Sequence, residues 1–174
     1  ADKEKIVSAI KAIGGSKYVR ADMEREKGIY DYDIEAEPGV DIRRELAGKS
    51  DIIVPNITEA CFMTGMEYKT SYDEAYVKDL LVRLSDLGAK TAILTGVSFE
   101  EGKTGVMGYD SSIGEFAYYE HEKLPVSYHG TGDIFSSTCV GAMMNGMDWK
   151  EAVKVAADYT AECIRLTLED PAKP

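Results

Sequence analysis

The sequence predicts an α/β fold, and three features predict it. Asp51–Pro55 and Thr91–Thr95 are compact apolar runs of the kind that form strands buried in a sheet. Two segments with helical spacing lie between them, and this β-α-α-β order makes parallel neighbours. The bulk composition is globular: of 174 residues, 44% are hydrophobic and 29% charged, enough for one domain of ordinary size or two small ones.

Before the first run, residues 3–13 place Ile6, Val7, Ile10 and Ile13 on one helical face, and Gly14-Gly15 ends that helix. Lys17–Arg25 and Ile29–Glu37 read as a hairpin about the turn at Glu26-Lys27-Gly28. Pro38-Gly39 closes it, and Asp41–Ala47 is a short helix. The opening is therefore α-β-β-α, like part of a small ferredoxin-like module.

After the first run, Thr58–Thr64 is helical with Gly65 as its stop. Ser71 is placed to cap a helix reaching about Leu87, with Asp73 and Glu74 in its first turn and Tyr76, Leu80, Leu81 and Leu84 on its buried face. Beyond the Thr91–Thr95 strand, residues 104–109 and 115–120 form an antiparallel pair. A helix follows from about Ile134 to Met144, stopped by Asn145-Gly146. Asp148 can cap the last helix, which turns Ala152, Val155, Ala156, Tyr159 and Cys163 inward. Met143, Met144 and Met147 read as a helix-end core patch, and Trp149 as an anchor between surface and core.

Charge and cysteine usage narrow the function. Thirty-one acids against 20 bases give a net charge of −11, which argues against a nucleic-acid surface. It leaves room for a nucleotide, because one loop and a metal ion can hold phosphates against an unfavourable global field. Cys61, Cys139 and Cys163 are far apart, match no zinc or redox spacing and read as buried free thiols suited to a reducing cytoplasm. No apolar run approaches the length of a membrane span, and none reads as a signal peptide.

The most informative segment is His129-Gly-Thr-Gly-Asp133, ahead of an apolar run with helical spacing. Two glycines let the backbone bend and bring N–H groups close to an anion, and the following helix aims its positive end at the same place. An aspartate there can take a proton from a hydroxyl that attacks a phosphoryl group. An ordinary turn with a helix-capping Asp gives the same four letters. Asn56 and Glu59 likewise match a capping box, and Thr95-Gly96 matches a strand-to-turn transition.

Three segments together carry a resemblance: Asp51-Ile-Ile-Val-Pro-Asn-Ile-Thr-Glu59, Ala92-Ile-Leu-Thr-Gly96 and Gly130-Thr-Gly-Asp133. In order and spacing they resemble the ribokinase-like sugar and vitamin kinases, and most of all the carboxyl-terminal half of pyridoxal kinases. The resemblance covers about residues 49–168. It implies a three-layer partial parallel sheet flanked by helices, and ATP-dependent phosphoryl transfer to a hydroxymethyl group, as in vitamin B6 salvage. Asp133 would be the general base, and Gly130, Thr131 and Gly132 would form the anion hole. Thr95, Gly96 and Asn56 would contact the nucleotide, with Glu59 and Asn56 near a magnesium ion. The partner implied is a pyridoxal-like alcohol.

Residues 1–48 do not share that resemblance. They are expected to be a capping segment of different origin, in a truncated or chimeric chain whose kinase half is 49–174. Two alternatives to an active kinase follow. The chain is a fused or fragmentary scaffold with at most nucleotide binding, or a half-enzyme completed by a second fragment or in a homodimer.

Overall fold

The computed structural model describes residues 42–126 and 128–169. The helix expected at 3–13 and the hairpin at 17–37 lie outside the described residues. The elements in order are α1 (Ile42–Ala47), β1 (Ile52–Ile53), α2 (Ile57–Thr64), α3 (Glu74–Asp86), β2 (Thr91–Val97), β3 (Lys103–Asp110), β4 (Glu115–Glu122), α4 (Thr131–Met144) and α5 (Trp149–Glu169).

The four strands form one sheet in the order β1-β2-β3-β4. Ile52 and Ile53 pair in parallel with Thr91 and Ala92, while β2–β3 and β3–β4 are antiparallel. The parallel character expected from the apolar runs is thus confined to β1 and β2. β1 is also only half-buried, where burial on both faces was expected. Among the described residues it has a sheet neighbour on one side only.

Helices cover both faces, giving three layers. On one face Val77, Leu80, Leu81 and Leu84 of α3 join Ala60, Cys61 and Met63 of α2 against Ala92, Leu94, Val97 and Met107. On the other, Phe135, Cys139 and Ala142 of α4 join Trp149, Ala152, Val153, Ala156 and Ala157 of α5 against Ile93 and Val106. Burial of each large aliphatic side chain supplies about 1.5–3 kcal/mol, so these two clusters hold the layers together.

Several local expectations need correction. Asp73, not Ser71, caps α3: its carboxylate accepts the Tyr76 N–H at 2.9 Å from the position just before the helix. Tyr76 is only partly buried, and Val77 takes the inward position. Val155 and Tyr159 of α5 are exposed and Cys163, expected as a buried thiol, is only half-buried, and the inward face runs through Ala152, Val153, Ala156, Ala157 and Ala161. Small residues let α5 lie close to α4 and the sheet, so bulk was a poor guide to direction. Met144 and Met147 are also exposed, because they follow the last turn of α4 that packs on the sheet; Met143 alone leans on the core.

β2 does not stop at Thr95-Gly96. Gly96 sits at φ 73° and the register slips by one residue between Thr95 and Val97. This bulge lets Val97 join the cluster under α2 and α3 although Thr95, two residues earlier, lies on the opposite face.

Candidate functional site

Asn56 and Glu59 are placed by the end of β1. The chain leaves β1 through Pro55, whose carbonyl accepts the Thr95 N–H at 3.1 Å, and Asn56 makes a parallel bridge with Thr95. Asn56 then caps α2. Its Oδ1 accepts the Glu59 N–H at 2.9 Å, and Glu59 Oε2 accepts the Asn56 N–H at 3.0 Å. The reciprocal box fixes both side chains and, among the described residues, leaves Glu59 Oε1 and the Asn56 amide nitrogen without a hydrogen bond. Both residues are exposed.

Thr95 lies on the α4–α5 face, two residues after the buried Ile93 on an alternating strand. Pairing across the sheet sets Thr95 opposite Val106, and Val106 opposite Tyr119. Asn56, Thr95, Val106 and Tyr119 therefore form one row at the carboxyl end of β2.

The direction of α5 shows where the glycine turn stands. Near its start, Trp149 packs over Gly108, in the row of Ile93, and Lys150 pairs with Glu115, in the row of Thr91. Two turns later, Asp158 accepts a hydrogen bond from Tyr119 Oη, in the row of Thr95. So α5 runs in the direction of β2. Its neighbour α4, joined to it by a short connection, runs back the other way. The amino end of α4 thus stands at the end of the sheet that carries Thr95 and Asn56.

That end begins with Gly130 at φ 88°, a conformation that disfavours a side chain. As the cap residue it offers no side-chain acceptor. The first bond of the helix is from Ile134 N–H to the Gly130 carbonyl, 3.0 Å. The amides of Thr131, Gly132 and Asp133 consequently lack an intrahelical acceptor and concentrate the positive end of the helix dipole. A Cβ at Gly130 or Gly132 would meet nothing within 4 Å, so no neighbour crowds the turn at these two positions. Thr131 Oγ1 is tied to the Tyr128 carbonyl at 3.2 Å. Asp133 is exposed in the first turn and, among the described residues, its carboxylate makes no hydrogen bond or ion pair. It does not cap the helix that contains it.

All the residues expected at the site thus collect at one end of the sheet, in two groups. Asn56, Glu59, Thr95 and Gly96 are joined by backbone contacts, and Gly130–Asp133 are carried there by α4. The donor set fits an anion at the bare amides. It also fits a hydrated hard cation beside one or two oxygens, as magnesium prefers. Among the described residues no group of three or more His, Cys, Asp and Glu could form a full protein cage for a metal, and no helix is long and apolar enough to cross a membrane. The Tyr119–Asp158 pair escaped sequence reasoning, because nothing in the sequence joins positions 39 residues apart.

Known proteins resemble the chain in sequence and in fold. Residues 34–172 match the family of phosphomethylpyrimidine kinases, a span that starts ahead of the resemblance at 49–168. A hydroxymethylpyrimidine/phosphomethylpyrimidine kinase of Aquifex aeolicus is 28% identical over 134 residues, covering 75% of this chain and 50% of that protein. A Bacteroides thetaiotaomicron protein described as a candidate phosphomethylpyrimidine kinase superposes with a TM-score of 0.72 at 31% identity, over 76% of this chain and 46% of that one. The pyridoxal kinase of Staphylococcus aureus, solved with AMP-PCP and pyridoxal, gives a TM-score of 0.62 at 26% identity, over 70% and 45%. The chain spans about half the length of the curated relatives it matches. The fold is the α/β architecture of the ribokinase-like kinases, and the chain belongs to the phosphomethylpyrimidine kinase family.

Proposed function

We propose that this chain carries the phosphate-handling half of an ATP-dependent kinase acting on the hydroxymethyl group of a small heteroaromatic alcohol of the pyridoxal or hydroxymethylpyrimidine kind. The observation that carries this reading is the amino end of α4: an amide turn without a side-chain cap and a carboxylate that pairs with none of the described residues, on the same end of the sheet as Asn56 and Thr95. Names among the relatives support the acceptor class, since pyridoxine kinase and hydroxymethylpyrimidine kinase both occur among them.

In this reading Asp133 accepts the proton of the attacking hydroxyl. The amides of Thr131, Gly132 and Asp133 take the charge that gathers on the transferred phosphoryl oxygens, where fixed donors cost no reorganisation. Thr95 and Gly96 receive the nucleotide phosphates at the strand end. Glu59 and Asn56 would hold a magnesium ion, which would supply neutralisation of the phosphate charge. The three free cysteines suit the reducing cytoplasm in which such a reaction would run.

The test is a titration with Mg-ATP, followed by an ADP-release assay with pyridoxal and with hydroxymethylpyrimidine. Turnover with either is expected, and Asp133→Asn should lower it about a thousandfold while nucleotide binding holds, the usual scale of a lost general base. Full turnover in that variant would remove Asp133 from its role. A second reading is favoured by exposure: Glu59, Gly132 and Asp133 all face solvent, whereas efficient transfer excludes water. Nucleotide binding without turnover, or turnover only in a homodimer or with a complementary fragment, would support it.

A further inference from the structure

We propose that the Tyr119–Asp158 hydrogen bond is a positioning pair, which holds the amide turn Gly130–Asp133 over the carboxyl end of β2. The inference rests on the kinase reading above, because the task it assigns is nucleotide binding. Among the described residues no hydrogen bond made by Gly130–Asp133 reaches a strand; those of Thr131 and Gly130 are local. α4 meets the sheet through Phe135, Cys139 and Ala142, which are apolar contacts without direction. The directional ties in this layer belong to its partner helix α5, and two of them reach β4.

One tie is Lys150 to Glu115, in the row of Thr91, at the end of the sheet away from the turn. The other is Tyr119 to Asp158, in the row of Thr95 and Asn56. Eight residues of helix separate them, about 12 Å. Tyr119 packs its ring on the second cluster, with Lys154 Nζ 5.9 Å from the ring centroid, so its hydroxyl is presented to α5 from a fixed base. Among the described residues this second tie is the hydrogen bond that sets the height of the α4–α5 pair where the turn meets the strand ends.

The experiment compares the two ties in the 174-residue chain. Binding of the magnesium complex of a non-hydrolysable ATP analogue is measured by calorimetry, and stability by thermal melting. Tyr119→Phe removes one hydroxyl and should weaken binding about tenfold, the scale of a hydrogen bond to a charged group. Lys150→Met should change binding by less than about twofold. Asp158→Ala should match Tyr119→Phe, and the double variant should be no weaker than either. Asp158→Asn keeps an acceptor oxygen and should retain most of the affinity. A merely structural tie would act through the melting temperature and would make the two ends of α5 equivalent. Parent-like binding in both Tyr119→Phe and Asp158→Ala, or equal losses in Tyr119→Phe and Lys150→Met, would overturn the inference. Absence of binding in the parent chain would instead overturn the kinase reading beneath it.

Discussion

At Gly108 a single methyl group decides how close α5 can come to the sheet. A Cβ there would lie 2.3 Å from Trp149 Cζ3 and 3.1 Å from Cη2, distances that a buried ring cannot accommodate by a small shift. Gly108→Ala is therefore expected to cost about 1–3 kcal/mol by overpacking. Trp149 is the one tryptophan of the sequence, so its fluorescence reports the same event. A red-shifted emission together with a lower denaturation midpoint is the expected outcome; an unchanged spectrum would mean that the slot is wider than the structure has it. This contact was illegible in the sequence, since neither residue announces a partner at such separation. Asp133 was legible for the opposite reason. Its two glycines, its carboxylate and its helix are contiguous, so the turn itself was readable locally, although the same four letters also fit an ordinary capped turn and only the two companion segments favoured the other reading.

Among the elements, α2 carries two readings at once, and one substitution separates them. Asn56 and Glu59 satisfy each other's backbone N–H groups at 2.9 and 3.0 Å. Asn56→Ala should cost about 1 kcal/mol through the lost cap, measurable by denaturant unfolding. Glu59→Gln keeps an oxygen for the box and loses only the charge. If Glu59 serves the cap alone, that variant keeps both stability and nucleotide affinity. The proposed role beside magnesium predicts unchanged unfolding with a clear loss of magnesium-dependent affinity. The helix stops read well from sequence because glycine stops are local: Gly65 ends α2 at φ 73°, and Asn145 and Gly146 end α4. The strand expected over Asp51–Pro55 is only Ile52–Ile53, because pairing with β2 and not apolarity sets its length. The face of α5 read badly. Val155 and Tyr159 are the bulky residues, yet close packing against α4 demanded alanines, and the choice between two amphipathic faces is settled only by the neighbour.

For the molecule as a whole, the aromatic chain over one face of the sheet makes stability sensitive to alkali. Tyr72 stacks on Tyr76 at 5.8 Å and meets Phe99 at 6.3 Å, and Phe99 meets Tyr118 at 5.0 Å. These contacts tie the start of α3, the segment after β2 and the strand β4 into one layer. Burial, reinforced by the Cys61 thiol at 3.2 Å, pushes the Tyr76 phenol up to about 12. Burial, then the Glu120 carboxylate at 3.1 Å, pushes Tyr118 up to about 12 as well. An unfolded tyrosine titrates at about 10, so the unfolded chain releases these protons first. The contribution of both groups is complete below about pH 10 and is lost as pH rises through about 12. The denaturation midpoint should accordingly hold to about pH 10 and fall steeply above it. The net charge of −11 adds repulsion over the same range. Tyr118→Phe separates the two effects, because it leaves the charge of the folded chain at neutral pH untouched and removes one of the two phenols. Its alkaline limb should be shallower than that of the parent, followed by circular dichroism at fixed ionic strength. Identical limbs in the two proteins would leave Tyr118 without a part in the alkaline loss.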